Sequence, residues 1–346
     1  MEPRPGYPHL GVTYLGNRFP AHAARDLEEI AEVCDYVVHT LSESDMAFHR
    51  SALEKIFTLS RKKGLEIWAD PWGLGRVFGG EAFSNYLAQK RGCWQVLSDG
   101  RFVPKACLNR PELVHFLREW VLVARDLGAQ VILWDEPHFH WDVDAELRGV
   151  YSCACPHCQK LFEKRFRQPM PKRLTLEVQA FRLESLRNFM TEITGFAHAK
   201  KLRNAVCIYA ISGVPAYEKL WEEASSLPDL DIFGCDPYWR MAGQAGPPEK
   251  RVSSFSRKTV DSARRHLKNS QIWIQAMKLR AGQEEEIVTA VREAARAGTD
   301  YIAAWSYDGG ELLDTVLSEN PGAVWKAVKK AYLEIKNGRT RAKSRK

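Results

Sequence analysis

Short apolar runs and amphipathic stretches take turns along the whole chain. Eight runs rich in Val, Ile, Tyr and Trp read as strands: HLGVTYLG from His9, YVVHTLSE from Tyr36, EIWADPW from Glu66, VILWDEP from Val131, AVCIYAI from Ala205, DIFGCDPYW from Asp231, QIWIQAM from Gln271 and YIAAWSYD from Tyr301. Between them, stretches such as ARDLEEIAEV, HRSALEKIFTLSRKKG, PELVHFLREWVLVARDLGA and EEEIVTAVREAARAG space their apolar residues for one face of a helix. Several close on Lys, Arg or Gly, as helix C-termini do. A last helix, PGAVWKAVKKAYLEIKN, starts with Pro321 near its first turn. Strands separated by helices pair in parallel, and eight strand and helix pairs predict an α/β fold, a (β/α)8 TIM barrel, as one domain over residues 1–336. A doubly wound open sheet would carry a glycine-rich phosphate turn after its first strand, and YLGNRFPA is not one.

Two connections are long, residues 73–110 and 138–174, and both leave the C-terminal ends of strands, the third and the fourth. That end of a barrel is where loops build sites, so excursions of this length there point to function.

Three of the strands end alike. Asp70, the pair Asp135 and Glu136, and Asp236 each stand just before a proline. Proline lacks a ladder donor and keeps its predecessor extended, which sets the acid at the strand's exit over the barrel mouth. One such acid alone reads as a strand terminator; with Asp308 there are five on one expected rim. Tyr14, Trp72, Tyr238, Trp239, Trp305 and Tyr307 are expected around them, and His39 and Gln275 stand on strands two and seven. A lone strand histidine is more often a core residue, but His39 is counted here among the groups that can reach the mouth. Rings and carboxylates together suit a sugar, whose C–H faces stack while its hydroxyls bond to the acids. Glycosidic cleavage needs one carboxyl to protonate the leaving oxygen, the role given to Glu136, and usually a second to attack the anomeric carbon or activate water.

The Trp134 to Pro137 sequence resembles the strand-four Asn-Glu-Pro signature of the clan A glycoside hydrolases, with Asp135 where that clan has Asn. The resemblance implies that Glu136 is the acid/base. CACPHC places Cys153, Cys155 and Cys158 shortly after that strand, a spacing that resembles the zinc cluster of the family 42 beta-galactosidases. It implies a fourth thiolate from the preceding loop, Cys107, with Cys93 or His157 as substitutes, and a closed structural zinc site that leaves no position open for chemistry. No organic cofactor is implied. The likeness stops at strand seven, where clan A enzymes keep a carboxylate nucleophile and this chain has Gln275.

Three readings repair that gap. Adjacent Asp135 and Glu136 resemble the pair of the family 20 hexosaminidases, in which the Asp orients the substrate's own N-acetyl group; both could serve only across a sharp bend at Pro137. Asp236 can instead be base or nucleophile, a carboxyl separation of roughly 5 to 5.5 Å implying retention and 6.5 to 9.5 Å inversion. Or the barrel binds carbohydrate without cleaving it. The triplet Asp135 to Pro137 is also similar to one in the cobalamin-independent methionine synthase barrels, but His138 and His140 show no matching zinc pattern.

Composition changes little. Of the net +7 over 346 residues, Arg339, Arg341, Lys343, Arg345 and Lys346 hold five, so the body is no basic nucleic-acid surface. Residues 337–346 read as a solvated, disordered basic tail. No apolar stretch is long enough to span a membrane and the start lacks a signal-peptide pattern, which makes the cytoplasm the default compartment; eight Cys without a disulfide framework agree with it. Nothing in the chain decides between a monomer and a homo-oligomer.

Overall fold

The computed structural model describes residues 7–15, 17–141, 148–241 and 246–343, with side chains to residue 338. Each of the eight apolar runs holds a strand. In chain order the barrel strands are β1 (His9–Tyr14), β2 (Tyr36–Thr40), β3 (Glu66–Asp70), β6 (Val131–Asp135), β7 (Arg203–Tyr209), β8 (Ile232–Asp236), β9 (Asn269–Gln275) and β10 (Tyr301–Trp305). They close in that order, every neighbour parallel, with β10 pairing back to β1. The fold is the expected (β/α)8 barrel.

Alternation along each strand sorts the side chains into two cores. Leu10, Val12, Val37, Ile67, Trp134 and Phe233 face the helix layer. Tyr36, Val38, Trp68, Leu133, Trp273 and Tyr301 fill the interior. That interior is packed solid low down: Tyr36 stacks on Trp68 at 4.5 Å, and Gly11 is glycine because a Cβ there would lie 2.3 Å from the Tyr36 ring. Below, Arg203 pairs with Glu66, which also accepts from the Trp68 indole. The lower half is a core; the upper rim is where chemistry can sit.

The outer helices present apolar stripes to the strands. The first, α1 (Pro20–Val33), buries Ala23, Leu27, Ile30 and Val33, one per turn. The last runs Pro321–Lys343, so the helix expected to end near Asn337 continues into the basic tail, of which residues 344–346 lie outside those described. Among the described residues no helix is long and apolar enough to cross a membrane.

One element was not anticipated. Within the loop after β3, Trp94–Val96 (β4) and Phe102–Ala106 (β5) form an antiparallel hairpin. Its tip is Asp99-Gly100, with Gly100 at φ +93, the turn chemistry that a close reading of QVLSDGRFV could have found.

Candidate active site

Strand alternation brings three acids to the upper interior. Asp70, Asp135 and Asp236 share the inward register of Trp68, Leu133 and Ile232 and are the last residues of β3, β6 and β8. Glu136, one residue further, would point outward in an extended chain. It adopts φ +45 instead, while its N–H still bonds to the Cys207 carbonyl at 2.9 Å. The sharp bend expected at Pro137 therefore occurs at Glu136. A non-glycine residue held there costs on the order of 1–3 kcal/mol, which the surrounding contacts must offset. Its effect is to bring adjacent Asp135 and Glu136 to one rim.

The Tyr209 hydroxyl at the end of β7 and the Asp236 carboxyl stand close enough to Glu136 to act on its ionisation. Burial raises Glu136 well above the ordinary glutamate range, and Asp236 adds to the rise; Tyr209 and Lys105 oppose it. Asp236 is itself raised to about 7, chiefly by burial. Burial, then Glu136 and Glu81, raise Asp135. Of the four carboxyls Asp70 and Asp236 are buried and Asp135 and Glu136 half-buried, and so close together they disfavour one another's ionisation and hold protons to a higher pH than isolated acids do.

Asp70 is the most isolated of them. It is 0% exposed, neither carboxyl oxygen has a hydrogen-bond partner, and burial, Asp135 and Glu136 all push its pKa up. A raised folded pKa means that the native state binds the extra proton, so stability falls as pH rises from about 4 toward the folded value. Asp70→Asn is expected to stabilise the protein by at least about 1 kcal/mol at pH 8, roughly 2 °C in unfolding temperature, and by less at pH 5. Thermal unfolding at the two pH values checks this; equal melting of the two proteins at pH 8 would mean that Asp70 has a partner after all.

Some expected companions arrive at the same place. Trp72 stacks on Trp305 at 5.2 Å, Trp305 meets Trp273 edge-on, and Tyr238 packs in the same interior cluster with its phenol facing Asp236 electrostatically. The loop after β3 closes against them: Gly79 donates its N–H to the Asp135 carbonyl, and a Cβ on Gly79 would lie 2.2 Å from the Asp135 carboxylate.

Other expected contacts are corrected. Tyr14 and His39 sit one register position away from inward residues and point into the helix layer, Tyr14 donating to Asp26 and His39 sharing a bond with Ser60 while stacked on Phe57. Trp239 is 0% exposed and its indole donates to Glu286. Gln275 is also fully buried; its oxygen accepts from the Trp239 and Arg240 amides and its NH2 donates to Met277, so it fastens a loop instead of meeting a ligand. Tyr307 donates to Glu29, and Asp308, raised to about 6 mainly by burial with Glu311 next, belongs to that outer acidic neighbourhood. Of the expected rim, Asp70, Trp72, Asp135, Glu136, Asp236, Tyr238 and Trp305 come together.

A cleft of about 390 Å3 opens beside Glu136, lined also by Lys105, His138, Trp141, Tyr209 and Tyr217. The sequence reading missed Lys105, His138 and Tyr209 as site residues. Tyr209 was findable, since it continues the inward register of Ala205 and Cys207.

The cysteines converge as well. Cys107, which follows β5, lies with Cys153, Cys155 and Cys158 in a buried group whose sulfurs are all within 4.8 Å of one another, a group that could hold a metal. Two of the separations, 3.4 Å for Cys107 to Cys158 and 3.8 Å for Cys107 to Cys155, are far beyond a disulfide. The Asn109 amide donates to the Cys158 sulfur at 3.3 Å. Around the group the two long excursions are zipped together: Ala154 N–H bonds to the Val96 carbonyl, Ser98 N–H to that of Tyr151, and Leu97 bridges Ser152. Cys93 and His157 are outside the group.

No protein-family model matches the chain, and no curated protein is similar to it in sequence. Solved structures are similar in fold. The endo-1,4-beta-mannanase from Rhizomucor miehei superposes with a TM-score of 0.64 at 9% identity, over 96% of this chain and 97% of that one. The endo-beta-1,4-mannanase from Thermotoga petrophila gives 0.60 at 10%, over 98% and 78%. The exo-beta-1,4-mannosidase Op5Man5 from Opitutaceae bacterium strain TAV5 gives 0.58 at 12%, over 97% and 63%, so this chain spans less than two thirds of that enzyme. At such identities the likeness is one of fold.

Proposed function

We propose that this barrel is a glycoside hydrolase in which Glu136 protonates the leaving oxygen of a sugar held in the cleft beside it. The observation that carries the reading is the Glu136 carboxyl on the wall of a ring-lined cleft, with burial and Asp236 favouring its protonated form. The mannanases and mannosidase that share the fold support it. Asp236 is the carboxyl that bears most directly on Glu136. Beside Glu136 and raised by the same burial, it helps to hold the Glu136 proton in place. Asp135, turned to the same rim, is the group left to orient whatever attacks the anomeric carbon, whether water or a group of the substrate itself.

We assign the four cysteines to a structural zinc. A tetrahedron of Zn–S bonds of about 2.3 Å has edges near 3.8 Å, and the Cys107–Cys158 and Cys107–Cys155 separations, 3.4 and 3.8 Å, approach that value. Four thiolates would complete the coordination, so the ion would supply stability alone.

One observation favours a binding protein that does not turn over: at the place of a strand-seven nucleophile stands Gln275, with its amide fully engaged. Aglycone release from a panel of aryl glycosides separates the two. Release from at least one is expected. Saturable quenching of tryptophan fluorescence by sugars, with no aglycone released from any member, would replace the hydrolase by the binding protein.

A further inference from the structure

The cleft beside Glu136 has a cationic wall. Lys105 and Arg182 line it, together with His138, and Glu136 is its one acidic lining residue among those described. The Arg182 guanidinium lies over the Phe139 ring, 5.6 Å from its centre.

Lys105 is held in an unusual way. It stands near the end of β5, is half-buried, and makes no ion pair with any described residue. Its ammonium meets His138 Nε2. His138 Nδ1 lies against the Glu136 backbone carbonyl, which can only accept. The ring proton is therefore on Nδ1, and Nε2 offers its lone pair to the lysine. Burial, with Lys105 beside it, pushes His138 down to about 4, so the imidazole stays neutral. A neutral acceptor fixes an ammonium without cancelling its charge. An ammonium has three donors and His138 takes one, so with the Glu136 carboxyl acting on it from the same wall the half-buried group still has donors for a ligand in the cleft.

We propose that Lys105, positioned by His138, is the anion-recognition group of this cleft, and that the ligand is an acidic sugar carrying a carboxylate or a sulfate. The inference rests on the reading of the cleft as a sugar site and adds the substituent that the sugar bears. The arginine fork on the same wall suits either anion.

Titration calorimetry on the full chain with glucuronate, glucose 6-sulfate and glucose tests it, and the choice between the two anions tells carboxylate from sulfate. At least one anion is expected to bind about tenfold or more tightly than glucose, the size of a charge-assisted hydrogen bond, and Lys105→Gln is expected to erase that preference. Equal affinities for all three in the wild type, no binding of any of them, or an anion preference that survives Lys105→Gln would each overturn the proposal. The wild-type comparison stands without the variant should the variant fail to fold. None of the three ligands has a glycosidic bond to cleave. A failure of aglycone release would therefore remove the hydrolase and leave a measured anion preference in place, whereas equal affinities would remove the acidic sugar and leave hydrolysis untouched.

Discussion

Stripping zinc from the four-cysteine group with a strong chelator, or replacing Cys158 by Ser, is expected to lower the unfolding temperature by about 5 °C or more and to undock the two long excursions from each other. Cys107 comes from the excursion after β3, and Cys153, Cys155 and Cys158 from the one after β6. A metal bound by all four would close a loop between segments about fifty residues apart in sequence and would be bound by the folded state alone, which makes its binding energy folding energy. The barrel strands themselves do not depend on the group, so far-ultraviolet dichroism should change little while the melting point falls. Elemental analysis of protein purified without chelator should find one zinc per chain. Cys93→Ser is the control, because Cys93 is buried near the group without belonging to it, and its loss should cost far less. Zinc-free protein of unchanged stability would reduce the four residues to free thiols.

The same metal would bear on the cleft. Lys105 is two residues from Cys107, and its hairpin is stitched to the second excursion by Gln95, which accepts from His140 and Ser152. Loosening the group should therefore loosen the cationic wall before it disturbs the carboxyls, which hang from the barrel strands.

What could be read from the chain follows from periodicity. The eight strands were legible because each is a run of β-branched and aromatic residues between helical stretches, and the exits of β3, β6 and β8 were legible because a proline follows each acid. Parity was equally present and would have sent Tyr14 and His39 outward, since each sits beside an interior position on its own strand. Lys105 and His138 were out of reach: one stands on an irregular hairpin and the other in a loop, and only three-dimensional contact between two excursions places them against Glu136. The left-handed turn at Glu136 carries no sequence signal either, since glutamate is not a residue that favours φ +45. Yet that one dihedral decides whether Asp135 and Glu136 oppose or adjoin each other.

Glu136→Gln is expected to cut turnover of any aryl glycoside the wild type accepts by about 10²–10⁴-fold with the fold intact, because the amide keeps the shape and the Tyr209 contact but has no proton to give. Its neighbours should move the pH profile in opposite directions. The active form has Glu136 protonated, so activity should be present at low pH and lost as pH rises through the raised pKa of the pair. Asp236→Asn removes a charge that raises Glu136, and the alkaline limb should shift to lower pH, with turnover suffering more at pH 8 than at pH 5. Tyr209→Phe removes a donor that favours the ionised form, and the limb should shift upward. Opposed shifts, read from kcat/KM across pH, would tie the titration to Glu136 itself, because a merely structural disturbance would lower the curve at both sites without moving its limb. Limbs that stay in place in both variants would show that another group supplies the proton.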